Sequence, residues 1–353
     1  MGVAGIAIAT VGRRGRLIGS LLALAAAAPA WAKDKVTPLF ADSAPLQVEI
    51  SGPIGAIARS AERSTAPRDA TLVANGESHA IQLAPRGITR RRREVCTFPP
   101  LSVRFMAKPA ATSLFDGQNK LKLVTHCRGG GQSEQYVLKE YTAYRLYNQL
   151  TASSLKVRLA RVRYVDGSKP AEEHWGFFIE DIDDAGRRVG RKRVEAGNLT
   201  PAALDPAEAA RYTLFQFMIG NLDWDMLRGT DVNDCCHNSK LLGLTANASA
   251  ALTPVPYDFD YSGLVGAPYA VPPASIPINS VTQRYFRGYC VHNAEARRLA
   301  GLVGANRAAL ELELDRVPGL EERNRTAMKN YLAGFFDDIA KPGYLDRMVK
   351  ACR

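Results

Sequence analysis

The sequence has no apolar run longer than Leu17 to Ala28. Crossing a bilayer takes about 20 apolar residues, so no internal membrane anchor is expected. No segment repeats along the chain, which sets repeat architectures aside. Three basic runs, Arg90-Arg91-Arg92-Arg93, Arg187-Arg188 and Arg191-Lys192-Arg193, have no aromatic residues between them. They read as solvated loop surface that can steer acidic partners, and nucleic acid is not expected as a partner. Glycine and proline number 29 and 20 in 353 residues, with 46% hydrophobic and 23% charged residues. That composition excludes collagen-like and disordered classes and describes a globular chain with a large core.

Net charge is +11, but the first 32 residues contribute Arg13, Arg14 and Arg16 and no acid, which leaves +8 for the remainder. Those arginines precede the apolar stretch Leu17 to Leu24 and an alanine run, and Ala30-Trp31-Ala32 stands before Lys33. A basic segment, an apolar segment and a small-x-small site together predict a cleaved signal peptide over 1–32. The expected location is periplasmic or secreted. In an oxidising compartment the six cysteines, Cys96, Cys127, Cys235, Cys236, Cys290 and Cys352, are expected to pair. Cys96 and Cys127 flank two candidate strands, which favours that bridge. A zinc cluster from Cys235, Cys236, His237, Cys290 and His292 competes, although a vicinal cysteine pair is an unusual zinc spacing.

Alternating apolar residues predict strands at 46–50, 80–83, 101–105 and 120–124. Two more are expected at 156–165 and 175–179, after a helix from about Glu134 to Leu150. In that helix Glu140 shares a face with Tyr136, Val137, Tyr144 and Tyr147, so a carboxylate stands on an apolar surface and needs a cation or donors. Asp205-Pro206-Ala207-Glu208 is a helix start, with a capping carboxylate, proline at the first position and glutamate at the third. Gly220 ends that helix. Later amphipathic segments cover about 293–315, 319–341 and 343–351. The sum is an α+β chain: a strand-rich lobe with one helix over 33–182, then a mainly helical lobe over 183–353.

Three pieces carry chemistry. They are Gly220-Asn221-Leu222-Asp223-Trp224-Asp225, His237-Asn238-Ser239-Lys240-Leu241-Leu242, and Pro256-Tyr257-Asp258-Phe259-Asp260. Each sets a carboxylate or carboxamide beside a short apolar strand. Mg²⁺ takes one or two protein oxygens along with phosphate and water, and a separate aspartate can accept a hydroxyl proton. The order base, Asn ligand, Asp ligand follows phosphoryl-transfer logic.

These motifs resemble those of atypical kinases, most of all the CotH-type secreted protein kinases, and also HipA-like and type II phosphatidylinositol 4-kinases. Leu114 to Leu123 followed by Lys139-Glu140-Tyr141, and Trp175-Gly176-Phe177-Phe178-Ile179-Glu180-Asp181-Ile182-Asp183, are similar to the CotH first lobe and its hinge strand. The likeness covers about 98 to 265. It implies a two-lobed protein-kinase-like fold and an exported phosphotransferase that uses ATP with Mg²⁺ or Mn²⁺ on a hydroxyl-bearing acceptor, such as an envelope or secreted protein. It implies Asp223 as catalytic base and Asn238, Asp258 and Asp260 as metal ligands. Lys122, paired with Glu140, would bind the donor phosphates, and Glu180 would lie near the nucleotide base. Asp225 and Asp234 stay open as alternative bases, and Lys120 and Arg104 as alternatives to Lys122. A catalytically inactive binding protein on the same scaffold and an unrelated metal-dependent hydrolase remain as rival readings.

Overall fold

In the computed structural model of the protein, the described residues are 1–2, 36–229 and 234–353. The expected signal peptide, apart from its first two residues, lies outside them. The first half contains β1 (Leu46–Ser51), α1 (Ile54–Ser60), β2 (Arg68–Ala74), β3 (Glu77–Pro85), β4 (Leu101–Phe105), β5 (Lys120–Val124), α2 (Gly131–Leu150), β6 (Val157–Val165) and β7 (Glu172–Ile179). The second half contains α3 (Ile182–Arg188), β8 (Lys192–Val194), α4 (Pro206–Ile219), β9 (Ser239–Gly243), β10 (Thr253–Pro256), α5 (Asn293–Ala305), α6 (Arg307–Asp315), α7 (Glu322–Ala340) and α8 (Tyr344–Val349).

The first seven strands close into a barrel in the order β1-β2-β3-β4-β5-β7-β6. All neighbours are antiparallel except β1 and β6, which pair in parallel from Leu46–Ala160 to Ser51–Val165. Closure removes the free sheet edge that an open sheet would present to other chains. The interior follows from period-2 alternation. Val48 and Ile50, Ile81 and Leu83, Leu101 and Val103, and Leu121 and Leu123 all point into one apolar core.

This architecture corrects the two-lobed kinase-like expectation. A closed seven-stranded barrel stands where a strand-rich lobe with one helix was expected, and the first half carries α1 as well as α2, with eight α-helices among the described residues. The cause lies in long-range pairing. The β1–β6 ladder joins residues more than a hundred positions apart, and local alternation carries no trace of it.

The outer faces of β5, β6 and β7 bury Val124, Leu159 and Phe177 in a second core with Val137, Leu138, Tyr141 and Tyr144 of α2 and residues of α4 to α8. The α4 helix begins as its sequence dictates: the Asp205 carboxylate accepts the Glu208 N–H at 3.0 Å, and Pro206 follows. It ends at Gly220, φ 64°, whose N–H returns to Phe217 O. A side chain there would collide with the Tyr331 hydroxyl, so glycine is required for space as well as for φ. Short strands β8, β9 and β10 form a separate sheet in the order β10-β9-β8.

All six cysteines are bridged, as Cys96–Cys127, Cys235–Cys236 and Cys290–Cys352. The favoured Cys96–Cys127 bridge is present, and the zinc-cluster reading falls because its cysteines are oxidised. No described helix is long and apolar enough to cross a membrane.

Candidate functional site

Hairpin pairing assembles the site. In the β9–β10 ladder Pro256 pairs with Ser239, and the Tyr257 N–H donates to Asn238 O at 3.2 Å. Asn238 just before β9 and Asp258 just after β10 are thereby neighbours, as adjacent strand ends. Both hold positive φ, 48° and 65°, two of the five non-glycine residues that do so among the described residues. Such backbone is sparsely populated and clusters at functional positions.

Asp223 stands in the turn after α4, and both of its oxygens are engaged. Oδ1 meets His237 Nε2 at 2.8 Å, and Oδ2 accepts from Asn238 Nδ2 at 3.0 Å. The same Nδ2 donates to Asp223 O at 2.7 Å. The turn is set by Asn221, whose Oδ1 accepts the Asp223 N–H, while Trp224 Nε1 donates to Asn221 O. His237 has its pKa raised, first by the Asp223 hydrogen bond and against burial. Asp223 remains about one-third exposed, so a hydroxyl can approach it.

The alternative bases have other occupations. Asp225 Oδ1 accepts Leu227 N and Arg228 N, and its Oδ2 pairs with Arg353 at 2.9 Å. It holds the loop. Asp234 is exposed, though its charge reaches Tyr257, and Lys120 and Arg104 are exposed on the barrel wall.

Asp260 is buried and accepts from the Tyr269 hydroxyl at 2.9 Å. Burial and the neighbouring Asp258 push its carboxyl up to about 7, with Arg90 and Tyr269 opposing. Glu140 is raised as well, by burial and then by Asp260. The Asp258 side chain has no hydrogen bond among the described residues, and its N–H donates to the Tyr144 hydroxyl at 2.9 Å.

Among the described residues no group of three or more His, Cys, Asp or Glu side chains is placed to hold a metal ion. Two carboxylates and one amide oxygen remain. Asn238 spends its Nδ2 on Asp223, which leaves Oδ1, and Asp258 and Asp260 repel each other without a bridging cation. A hard cation that completes its shell with phosphate and water can use as few as one or two protein oxygens.

Lys122 lies on the outward face of β5, between inward Leu121 and Leu123. Its Nζ is 5.1 Å from the Tyr257 ring centroid. Burial, then Arg86, pulls its pKa down to about 8. The expected pairing with Glu140 is absent: Glu140 Oε2 lies 3.6 Å from Arg90, and its Oε1 is buried without a partner. Arg90 is correspondingly buried and also donates to Thr125 O at 2.6 Å. Reading Arg90 as solvated surface was therefore mistaken. The signal that could have found it was Glu140 itself, a carboxylate on an apolar face that required a cation. Tyr269 was missed too, and nothing in its sequence context marks it.

Glu180 sits at the end of β7 and is buried. Its oxygens take Arg188 Nη2 at 2.9 Å and Lys156 N at 2.8 Å. Its side chain ties β6 to α3. The structure thus gathers Asp223, Asn238, Asp258, Asp260 and Lys122, leaves Glu140 behind Asp260 with Arg90, and commits Glu180 to the scaffold.

No protein-family model matches the chain, and no curated protein matches it significantly.

Proposed function

We propose that the protein is an exported, divalent-cation-dependent phosphotransferase that moves a phosphoryl group from a nucleotide to a hydroxyl acceptor. One observation carries the reading: an Asp223 about one-third exposed, held by His237 and Asn238, stands beside Asn238 Oδ1 and the Asp258 carboxylate, which have no hydrogen bond among the described residues. In this reading Asp223 orients the acceptor hydroxyl and takes its proton. Asn238, Asp258 and Asp260 would hold a cation, which when bound neutralises charge on the transferring phosphate. Lys122 and its neighbours bind the donor. The likeness of the three motifs to those of CotH-type enzymes supports the reading at the level of the site, and the fold does not enter it. The three disulfides support an oxidising compartment, periplasmic or extracellular.

The test follows γ-labelled ATP with Mg²⁺ or Mn²⁺. Label is counted on the protein, on hydroxyl-bearing peptides and glycans, and as free phosphate. Asp223→Asn should bind ATP as wild type does and turn over roughly 10²- to 10⁴-fold more slowly, the usual size of a general-base contribution. Wild-type protein that binds ATP and never releases label contradicts the reading. A second reading, a nucleotide-binding protein without turnover, is favoured by one observation: Lys122 has no ion pair among the described residues, and Glu140 is paired with Arg90.

A further inference from the structure

We propose that Arg86, Lys122 and Lys240 form a clamp for a linear polyphosphate around the Tyr257 ring, and that the phosphate chain is the part of the donor the site recognises. The donor role rests on the phosphotransferase reading; the binding does not.

The three cations come from separate elements. Arg86 follows β3, Lys122 is on β5 and Lys240 is on β9. Lys122 Nζ and Lys240 Nζ approach the same ring, Tyr257, at 5.1 and 5.8 Å from its centroid. The charge of Arg86 acts on both Lys122 and Tyr257. Ring faces attract ammonium groups, so Tyr257 can hold two lysines near one point. It cannot neutralise them.

The contrast with other cations in the protein is direct. Arg90, Arg158 and Arg188 each have a carboxylate oxygen within 3.6 Å. Arg86, Lys122 and Lys240 have no ion pair among the described residues. Asp181 and Asp258 act on Lys122 but form no ion pair with it among the described residues, so a ligand that carries several negative charges in a row would complete the balance, and a phosphate chain has them. Asp258 adjoins Tyr257, so the cation-binding oxygens sit beside the clamp, where a chelated cation would bridge to the same chain.

Recognition of a base is a different matter. At Glu180, where the resemblance placed the nucleotide base, both carboxylate oxygens are taken by Arg188 and Lys156 N, and the N–H donates to Lys156 O at 2.9 Å. The polar groups of that residue are already spent on the scaffold.

Calorimetric titration of the oxidised full chain, with Mg²⁺ at constant ionic strength, tests the clamp. The probes are tripolyphosphate, ATP, AMP and orthophosphate. Tripolyphosphate and ATP are expected to bind with similar affinity and to displace one another, with AMP and orthophosphate far weaker. Lys240→Ala and Arg86→Ala, both at positions with solvent access, are each expected to weaken tripolyphosphate about 10-fold, the size of one charge-assisted contact. ATP binding without tripolyphosphate binding would overturn the proposal, and so would wild-type affinity in both variants. The same samples separate the two claims. Tight tripolyphosphate binding without phosphate transfer refutes the phosphotransferase reading and leaves the clamp. Transfer from ATP with unaltered tripolyphosphate binding in both variants refutes the clamp and leaves the reading.

Discussion

In the barrel, Leu72, Ile81, Leu83, Val103 and Leu123 are fully buried, and every strand has a hydrogen-bonded neighbour on each side. In the loops after α4 and β10, by contrast, Asn238 and Asp258 hold positive φ, the Asp258 side chain has no hydrogen bond among the described residues, and Asp260 is buried beside the charge of Glu140 of α2. One region satisfies local preference, pairing and burial together. The other violates all three within a few residues. Regions that break local rules inside a well-folded chain are where function is expected, because the surrounding structure has to hold them in place.

The largest effect should come from the barrel. Phe178 is fully buried in its core, and Phe178→Ala should cost about 3–5 kcal/mol in denaturant unfolding. Asp258→Asn tolerates the same φ and removes a repelling charge, so it should change stability by less than about 1 kcal/mol. An equal loss at the two positions would erase the contrast between the regions.

The bridges sharpen it further. Cys96–Cys127 spans 31 residues of the barrel wall, and replacing both by serine should cost about 2–5 kcal/mol, read as a lower melting temperature. Cys235–Cys236 closes a separation of 1, so its removal should cost clearly less. The reverse order would mean that the loop before Asn238 carries stability the barrel does not.

Acid titration should separate the two regions by sign. His126 follows β5 and stacks between Phe98 and His174. Burial, then His174 and Arg90, holds it down at about 3 against an ordinary 6.5. The unfolded chain takes this proton first, so the contribution is present above 6.5 and fades as pH falls toward 3. Asp260 is raised from 3.8 to about 7 and behaves oppositely: its contribution is present below 3.8 and fades as pH rises through 7. Each slope can reach about 1.4 kcal/mol per pH unit. In metal-free buffer between pH 4 and 6.5, His126→Phe should therefore lose more stability with rising pH than wild type does. Asp260→Asn should gain it. Wild-type slopes in both variants would contradict these assignments.

How much of this was legible depended on range. The Asp205-Pro206 start and Gly220 end of α4, and the alternation in β1, β4 and β5, are local, and the structure has them where the sequence puts them. The pieces holding Asp223, Asn238 and Asp258 stand out locally, since each pairs a polar residue with a short apolar strand, and the structure puts Asn238 against Asp223. Four elements were missed, among them β8, whose Lys192 and Arg193 were read as solvated loop surface. Residues 54–60 and 68–74 lie in a stretch poor in aromatics, and 182–188, where α3 forms, begins at the expected boundary between the lobes. The barrel's closure and the Arg90–Glu140 pair were not legible, because each joins segments that only the complete fold brings together. Short motifs resembling kinase sequences describe the surroundings of a site, and they did not determine how the strands upstream would close.

The most direct test of the account is the stabilisation of the protein by ATP with Mg²⁺, compared between wild type and Asp258→Asn. A ligand at about 100 times its dissociation constant should stabilise the folded wild type by about 2.7 kcal/mol, seen as a rise in melting temperature. The account predicts that rise in wild type and its loss in Asp258→Asn, with the two unliganded melting temperatures nearly equal. Equal rises in both proteins, or none in wild type, would contradict the claim that the unpaired oxygens around Asp258 exist to bind a cation and a phosphate.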